Sequence, residues 1–304
     1  MNSGLTIAIV TKGRPLKLAR CLDSVCNQTL VPEEVLIVDN DVKRSAYRVY
    51  KKYIKKLPLR YIIERRNVPA ARNKALEISK TRYLGFVDDD CILDANWVKF
   101  AINKLKSSKR LVYACGKTNP YSNYNILAIA QHTRDSYWYL KKLRRGNQTL
   151  PEHFDTKNVI LDRNLVLAKN LKFDSKCSIG PFDSADFDFG LQLTQHSLRG
   201  IYLDKMQLMH EETSSFQRYI QRAFFRGKIA SYINNKWGLG NKLVDLSEDN
   251  ILIWLLKTAK RFPTDFIRFT NNLRIPILYK ILVVFAIRAY EGAYLKGYIS
   301  YKET

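Results

Sequence analysis

The first third of the chain alternates short apolar runs with segments of helical spacing. Four apolar runs have the length and β-branched content of buried strands: residues 5–10, 35–38, 61–63 and 83–87. Three segments between them repeat apolar positions every three or four residues, which predicts helices: residues 16–26, 44–56 and 70–79. Alternating strands and helices predict an α/β fold, with a mostly parallel central sheet flanked by helices.

The pattern is less regular further along the chain. Three more runs are strand-like: residues 111–115, 159–167 and 201–203. A short helix is predicted at residues 191–196, whereas residues 119–157 are less regular and rich in Tyr and Asn. Three long helical segments follow residue 210: residues 216–234, 251–262 and 277–298. We therefore predict a first domain at residues 1–212 and a helical C-terminal region at residues 213–304.

Polar side chains follow three of the predicted strands. Thr11-Lys12, Asp39-Asn40 and Asp88-Asp89-Asp90 each come directly after an apolar run. Ligands of parallel sheets bind beyond the carboxyl ends of the strands, so this pattern predicts a ligand site there. Asp88 and Asp90 point to one side of an extended chain and can hold Mn²⁺ or Mg²⁺ together, since hard cations take carboxylate oxygens. The alternative is a solvated acidic turn.

Composition narrows the class of protein. With 51 Lys and Arg against 28 Asp and Glu, the formal charge is +23, which favours phosphate-bearing partners: nucleic acid, anionic lipid or a nucleotide. The five cysteines are scattered without a CxxC pair, which indicates a reduced intracellular protein without structural zinc. The lack of GxGxxG and GxxxxGK[ST] argues against Rossmann oxidoreductases and P-loop kinases. A basic nucleic-acid-binding protein stays an alternative, although no known binding motif occurs.

Several segments, in this order, resemble the inverting nucleotide-sugar glycosyltransferases of family 2, which have the GT-A fold. The resemblance covers about residues 4–230 and is carried by five stretches: "IAIVTKGRP", "CLDSVCNQTLVPEEVLIVDN", "NVPAARNKALEISKTRYLGFVDDD", "FDSADFDFGLQL" and "MHEETSS". It implies a GT-A domain with a helical C-terminal extension. The implied reaction moves a sugar from a nucleoside-diphosphate sugar to a hydroxyl group.

The resemblance implies a nucleotide-sugar site on the early strands. Asp39 matches the carboxylate that accepts a hydrogen bond from the uracil or thymine imide. Three residues match the first loop around the nucleoside: Thr11, Lys12 and Arg14. Arg72 and Asn73 match the Arg-Asn pair that faces the donor, and the planar fork of an arginine suits a pyrophosphate.

The same resemblance implies a metal centre. Asp88 is expected near the ribose or the metal, and Asp90 on the metal itself, which would be Mn²⁺ or Mg²⁺. Asp89 is grouped with the donor-binding residues but is free to face away. His210 matches the family histidine that completes the metal shell, a role that suits neutral imidazole.

Inverting transfer by a single displacement also needs a base for the acceptor hydroxyl. Asp186 matches the family base, and Asp188 is the second choice. Ala185 stands where the family has Glu, and Gln192 where Arg is common. These departures leave a catalytically inert GT-A scaffold as an alternative, and both aspartates can instead cap a helix.

The C-terminal region mixes aromatic and basic side chains, as in "FQRYIQRAFFRGK" and "KRFPTDFIRF". Such helices either meet an anionic membrane or pack against the first domain or a dimer partner. Arg222 and Arg226, four residues apart, are candidates for an acceptor's phosphate or sugar acid. We expect no membrane crossing, because the late apolar run contains Lys280 and Arg288. The expected place is the cytoplasmic face of the cell membrane, in surface polysaccharide or glycolipid synthesis.

Overall fold

A computed structural model of the chain describes residues 3–108, 110–122, 125–143, 155–239 and 251–301. The chain divides into two compact units. The sheet unit comprises Met1–Asn119, Arg145–Ser178 and Ala185–His210. The helical unit comprises Pro120–Arg144, Ile179–Ser184 and Glu211–Thr304. The assignment of residues 1–212 as the catalytic domain stays a prediction.

The described residues form the following strands: β1 (Leu5–Thr11), β2 (Glu34–Asp39), β3 (Leu59–Ile63), β4 (Tyr83–Asp88), β5 (Cys91–Leu93), β6 (Leu111–Pro120), β7 (Val159–Asp162), β8 (Ser178–Ile179), β9 (Phe182–Asp183) and β10 (Arg199–His210). They form the following α-helices: α1 (Pro15–Cys26), α2 (Ala46–Tyr53), α3 (Val68–Ile78), α4 (Trp97–Lys106), α5 (Ile126–Leu143), α6 (Arg163–Ala168), α7 (Ala185–Gln195), α8 (Phe216–Trp237), α9 (Ile251–Thr270) and α10 (Ile277–Ile299). A short 3-10 helix spans Ser175–Cys177.

The main sheet has the strand order β3-β2-β1-β4-β7-β6-β10-β5. The strands β3, β2, β1 and β4 are parallel, as the alternating pattern of strands and helices predicts. Beyond β4, the pairs β4–β7, β6–β7 and β5–β10 are antiparallel. The predicted α/β class is confirmed. The parallel part of the sheet consists of the four strands that alternate with predicted helices in the first third of the sequence.

Four local predictions are wrong. The run at 159–167 is strand only to Asp162, whose side chain accepts a bond from the Leu165 N–H at 3.3 Å and starts helix α6. Within 119–157, expected to be less regular, lies helix α5. The last strand is β10, much longer than residues 201–203, because it lies between β6 and β5 and pairs with both. Helix α7 begins six residues before the predicted 191–196, at Ala185.

The helical unit has its own apolar core, to which α5, α8, α9 and α10 all contribute. Helices α8 and α10 approach closely at two glycines. A Cβ at Gly227 would lie 2.0 Å from the Tyr294 carbonyl oxygen, and one at Gly297 would lie 1.9 Å from that of Phe224. The predicted helical C-terminal region is therefore confirmed. Over the described residues, no helix has both the length and the apolar character needed to cross a membrane.

Candidate active site at the ends of the parallel strands

The register of the parallel strands brings the predicted polar tips together. Thr11 at the end of β1 is the Cα partner of Asp39 at the end of β2. On the other side of β1, Val10 is the partner of Asp88 at the end of β4. Three residues far apart in the sequence therefore stand side by side at one edge of the sheet, as expected for a ligand site of this topology.

Asp89, the middle residue of the acidic triplet, is completely buried and bound to the loop after β1. The Thr11 hydroxyl donates to its Oδ2 at 2.6 Å, and Arg14 Nη2 lies 2.6 Å from its Oδ1. Gly13 has a φ of +67°, a conformation that glycine adopts easily and that turns the loop so that Arg14 can reach back. Burial, together with the charge of Asp90, raises the pKa of Asp89 to about 7, against the opposing effect of Arg14. Asp89 thus holds the loop.

Asp90 lies between cationic groups. Arg14 Nη1 lies 2.5 Å from its Oδ2, and Lys17 Nζ lies 4.0 Å from the same oxygen. His210 Nε2 lies 3.1 Å from the other oxygen, Oδ1. Burial disfavours the charge of Asp90, but His210 and Arg14 outweigh it and hold its pKa below the usual range. Asp90 is therefore an ionised carboxylate at the centre of the site.

His210 reaches Asp90 through strand pairing. In the antiparallel pair of β5 and β10, His210 is the partner of Cys91, the residue that follows Asp90. The backbone ladder between these strands therefore fixes the distance between two side chains that are far apart in the sequence. The predicted meeting of Asp90 and His210 is present in the structure.

The donor atoms at this point fit a divalent cation. Ligand atoms of Asp90, Cys91 and His210 all lie within 4.8 Å of one another. Carboxylate oxygen and imidazole nitrogen are ligands that Mn²⁺ accepts. Burial and the nearby carboxylates of Asp88 and Asp90 raise the pKa of the Cys91 thiol, which favours its protonated form. Asp88, whose side chain is 34% exposed, lies at the same strand end and is open to a ligand.

Arg72 and Asn73 begin the second turn of α3. This helix starts at Asn67, whose side chain accepts a hydrogen bond from the Ala70 N–H at 2.9 Å. Arg72 is buried, and its Nη2 lies 3.9 Å from Asp88 Oδ1. Its guanidinium also lies over the ring of Phe173, 5.7 Å from the centroid. A buried guanidinium beside an acidic strand end is suited to an anionic ligand.

The side-chain amide of Asn73 is bonded to the backbone of Phe173. Its Nδ2 donates to the Phe173 carbonyl, and its Oδ1 accepts from the Phe173 N–H, both at 2.8 Å. Asn73 thereby positions the ring against which Arg72 rests. Direct contact between Asn73 and a donor stays a prediction, and the observed role is to hold the segment at Phe173.

Asp39 is buried at the end of β2 with a partner on each oxygen. The Tyr61 hydroxyl donates to Oδ2 at 2.6 Å, and the Asp41 N–H donates to Oδ1 at 2.9 Å. Burial and the bond to Asp39 raise the pKa of Tyr61. Because each carboxylate oxygen has two acceptor sites, Asp39 retains capacity for a base N–H. Lys12, on the adjacent loop, is exposed.

The two candidate bases lie in the first turn of α7 and differ in burial. Asp186 is half-buried, and its Oδ1 accepts a bond from the Phe187 N–H at 2.9 Å. Asp188 is completely buried, accepts a bond from Gln192 Nε2 at 2.8 Å, and lies close to Asp174 and Cys177. The structure therefore leaves Asp186 more accessible than Asp188.

The two predicted acceptor-side arginines lie on α8 in the helical unit. Arg222 Nη1 lies 2.6 Å from Oε2 of Glu212, so it is already paired with an acid. Arg226, one turn later, is half-buried. Their role toward an acceptor stays a prediction.

Sequence reasoning did not find Lys17, Tyr61 or Phe173 as parts of the site. Lys17 was detectable, because it lies one helical turn after Arg14 at the start of α1. Tyr61 was detectable because β3 is expected to lie beside β2, which brings Tyr61 near Asp39. Phe173 lies in a turn-rich segment and meets Asn73 only through the fold, so no local pattern of residues points to it.

Comparison with known proteins decides the family. The sequence model of glycosyl transferase family 2 matches residues 6–163, more than half of the chain. The chain belongs to glycosyl transferase family 2. A hyaluronan synthase of Pasteurella multocida is 31% identical to this family 2 chain over 106 residues, which is 34% of this chain and 11% of that protein. The match is therefore a small part of that relative's length.

Two solved structures share the fold of this family 2 chain. Mannosyltransferase PcManGT from Pyrobaculum calidifontis, in complex with GDP-Man and Mn²⁺, matches with a TM-score of 0.64 and 17% identity, covering 98% of this chain and 88% of that chain. TarS 1-349 of S. aureus, in complex with UDP-GlcNAc, matches with a TM-score of 0.54 and 14% identity, covering 98% and 92%. The expected GT-A fold is confirmed by these likenesses.

Proposed function

We propose that this chain is a metal-dependent inverting glycosyltransferase. It moves a sugar from a nucleoside-diphosphate sugar to a hydroxyl group of a glycan or lipid-linked acceptor. The observation that carries the proposal is the arrangement at the strand ends, where His210 bonds to Asp90 and Arg72 lies beside Asp88. Family membership supports the same reading.

In the proposed donor complex, residues at the ends of β1 and β2 bind the nucleoside, and Arg72 of α3 binds the diphosphate. Asp39 accepts a hydrogen bond from the base, while Tyr61 holds its carboxylate in place. Thr11, Lys12 and Arg14 belong to the loop that covers the nucleoside. Arg72 faces the diphosphate as a buried, permanently charged donor of paired hydrogen bonds.

Asp88, Asp90 and His210 would hold the metal, Mn²⁺ or Mg²⁺. When bound, such an ion supplies positive charge to a leaving diphosphate, which is the position where electrostatic catalysis is strongest. Asp89 contributes indirectly, because its bonds to Thr11 and Arg14 fix the loop next to these ligands. The positive charge of Arg72 would act on the same diphosphate.

The base in the proposed reaction is Asp186. A carboxylate oxygen of Asp186 takes the proton of the acceptor hydroxyl, whose oxygen forms a bond to the anomeric carbon. The bond between that carbon and the diphosphate oxygen breaks, and its electron pair leaves with the nucleoside diphosphate. Because the hydroxyl attacks from the side opposite this bond, the configuration at the carbon inverts. Asp188, buried and bonded to Gln192, is suited to holding the first turn of α7 rather than to reaching an acceptor.

The acceptor class follows from charge. A chain of charge +23 favours acceptors that carry phosphate or sugar acids, and Arg222 and Arg226 are the residues proposed to meet them. We place the enzyme at the cytoplasmic face of the cell membrane, in the synthesis of a surface polysaccharide or glycolipid.

The test combines binding with turnover. Purified protein is titrated calorimetrically with UDP, GDP and dTDP, with and without MnCl₂, and release of nucleoside diphosphate from sugar donors is followed. We expect metal-dependent binding of at least one nucleotide and metal-dependent release. Asp186→Asn should slow release by about 10²-fold to 10⁴-fold but leave nucleotide binding unchanged. The control Asp204→Asn removes an exposed carboxylate of β10 and should change neither.

Each alternative gives a different result. Nucleotide binding without any turnover would indicate an inert scaffold. Salt-sensitive binding to DNA with no affinity for nucleoside diphosphates would indicate a nucleic-acid-binding protein. Full turnover by Asp186→Asn would show that another group is the base.

A further inference from the structure

The helical unit exposes large apolar side chains on one face of α10. Leu278 is 61% exposed, Leu282 41% and Phe285 59%. Their spacing of four and three residues puts them on one side of the helix. The opposite side packs into the core of the helical unit through Val283 and Ile287, so the exposed side chains are not needed to hold α10 in place.

This exposed face is continuous with an aromatic side chain of α9. The ring of Phe285 lies 5.3 Å from that of Phe262, and Phe262 lies 6.4 Å from Phe266. We call Phe262, Leu278, Leu282 and Phe285 the α10 patch. Contiguous exposed apolar side chains are typical of surfaces that meet a protein or a membrane.

The exposed charged residues next to the α10 patch in the sequence are basic, because Asp265, three residues after Phe262, is buried and paired with Arg288. Residues 266–290 contain no acid. Exposed Arg274 lies four residues before Leu278. Exposed Lys296 lies five helical turns after Leu278 and on the same side of α10. The nearest acid on the helix, Glu291, is already paired with Arg288 Nη1 at 2.5 Å. The apolar face therefore has a cation beyond each end.

The first turn of α10 adds to this positive field. Its N-cap is Pro276, which makes no side-chain cap hydrogen bond, and its first turn has no acidic residue. The helix dipole is positive at this end, and Arg274 increases that charge rather than balancing it. Phosphate groups are suited to such a helix start.

We propose that the α10 patch docks on an anionic lipid surface. Apolar side chains enter the boundary of the acyl chains while Arg274 and Lys296 meet lipid phosphates, as on helices that lie in a membrane interface. A symmetric pairing of two α10 patches from two copies of the chain is disfavoured, since it would bring Arg274 and Lys296 of both copies together. The docking extends the proposed function by bringing the enzyme to a lipid-linked acceptor, but it is measured without sugar transfer.

The experiment is a flotation assay of the full chain with vesicles. We expect at least about tenfold stronger binding to phosphatidylcholine vesicles that contain about 30% phosphatidylglycerol than to pure phosphatidylcholine. The double variant Leu282→Ser with Phe285→Ser should lower binding about tenfold, and Arg274→Gln with Lys296→Gln should lower it and weaken its salt dependence. The matched control, Val31→Ser with Phe216→Ser, removes two other exposed apolar side chains and should bind like wild type.

The outcomes separate lipid docking from other uses of the surface. Circular dichroism and the melting temperature confirm that each variant is folded. Two results would overturn the proposal. One is equal binding of the wild-type chain to both vesicle types. The other is wild-type binding by the double variant Leu282→Ser with Phe285→Ser, which we call the α10 patch variant. A shift from dimer to monomer in light scattering without a change in vesicle binding would assign the surface to a second copy instead. Release of nucleoside diphosphate by the α10 patch variant in vesicle-free buffer should stay at the wild-type rate, so failure of the proposed function would be visible separately.

Discussion

Arg14 Nη1 lies 2.5 Å from Asp90 Oδ2, while His210 Nε2 lies 3.1 Å from the other oxygen of the same carboxylate. The proposed metal ligand is thus bonded to a cation of the protein itself. A divalent ion that binds Asp90 has to share this carboxylate with Arg14 or displace it. The Arg14 side chain is 39% exposed, which leaves it room to turn toward a donor phosphate.

Removal of this competition gives the first prediction. Arg14→Gln should tighten Mn²⁺ binding in the absence of nucleotide by about tenfold, since one positive charge leaves the carboxylate. Isothermal titration with MnCl₂ measures it. Lys12→Gln makes the same change of charge on the same loop and should have little effect, because Lys12 is exposed. Weaker Mn²⁺ binding by Arg14→Gln would instead show that Arg14 arranges Asp90 for the ion.

The second prediction separates Asp186 from Asp188. Asp186→Asn should lower kcat by about 10²-fold to 10⁴-fold with an unchanged melting temperature, since it removes a base from a half-buried position. Asp188→Asn should lower the free energy of unfolding by about 1–3 kcal/mol, because it replaces an oxygen that accepts the Gln192 Nε2 bond with an amide nitrogen that donates. Urea unfolding and steady-state kinetics measure both. A stable but inactive Asp188→Asn beside an active Asp186→Asn would reverse the two roles.

The third prediction concerns the base of the nucleotide. An Asp39 carboxylate accepts hydrogen bonds, so UDP, dTDP and GDP, whose bases have a protonated ring nitrogen (N3–H or N1–H), should bind more tightly than CDP, whose ring N3 carries no hydrogen. Asp39→Asn should narrow this difference, because an amide also donates. Tyr61→Phe removes the bond that holds the carboxylate and should weaken UDP binding by less than about tenfold. Calorimetric titration of the four nucleotides checks this, and equal affinities for UDP and CDP in wild type would exclude the role of Asp39.

The fourth prediction tests the contact between α3 and Phe173. Asn73→Ala removes two hydrogen bonds to the Phe173 backbone and should cost about 1–3 kcal/mol of folding free energy. It should also raise the donor KM more than it lowers kcat, because Arg72 rests on the Phe173 ring. Urea unfolding and kinetics measure the two effects. Asn103→Ala, at an exposed position of α4, is the control and should leave stability and KM unchanged. An unchanged KM in Asn73→Ala would show that the ring does not position Arg72.

The parallel strands and their polar ends were predictable because apolar runs and helical spacing alternate there without interruption. Thr11, Asp39 and Asp88 come together through this regular topology alone. His210 was predictable only from a resemblance, since β10 mixes polar and apolar residues and its length depends on pairing with other strands. Helix α5 was missed because its Tyr- and Asn-rich approach looks irregular, although Asn125 Oδ1 accepts bonds from Leu127 N and Ala128 N at its start.

The contacts inside the site were less predictable than its location. The bonds of Arg14 to Asp89 and Asp90 depend on the turn at Gly13, and the bonds of Asn73 depend on a segment one hundred residues later. No local period reports such contacts, because they form only when distant segments pack. The burial that distinguishes Asp188 from Asp186 is also a property of packing, which two acids on one short helix do not reveal.

The pairing of His210 with Cys91 across β10 and β5 rests on main-chain hydrogen bonds and not on the side chains of Asp90 or His210. Either of the two proposed ligands can therefore be substituted while the strand pairing holds the backbone of the other in place. If the proposed metal site is correct, single substitutions at position 210 should change the preference among divalent ions, since an oxygen ligand there would favour harder ions and imidazole softer ones. The backbone pairing thus sets the distance between positions 90 and 210, while the side chains at these positions would set which ion is preferred.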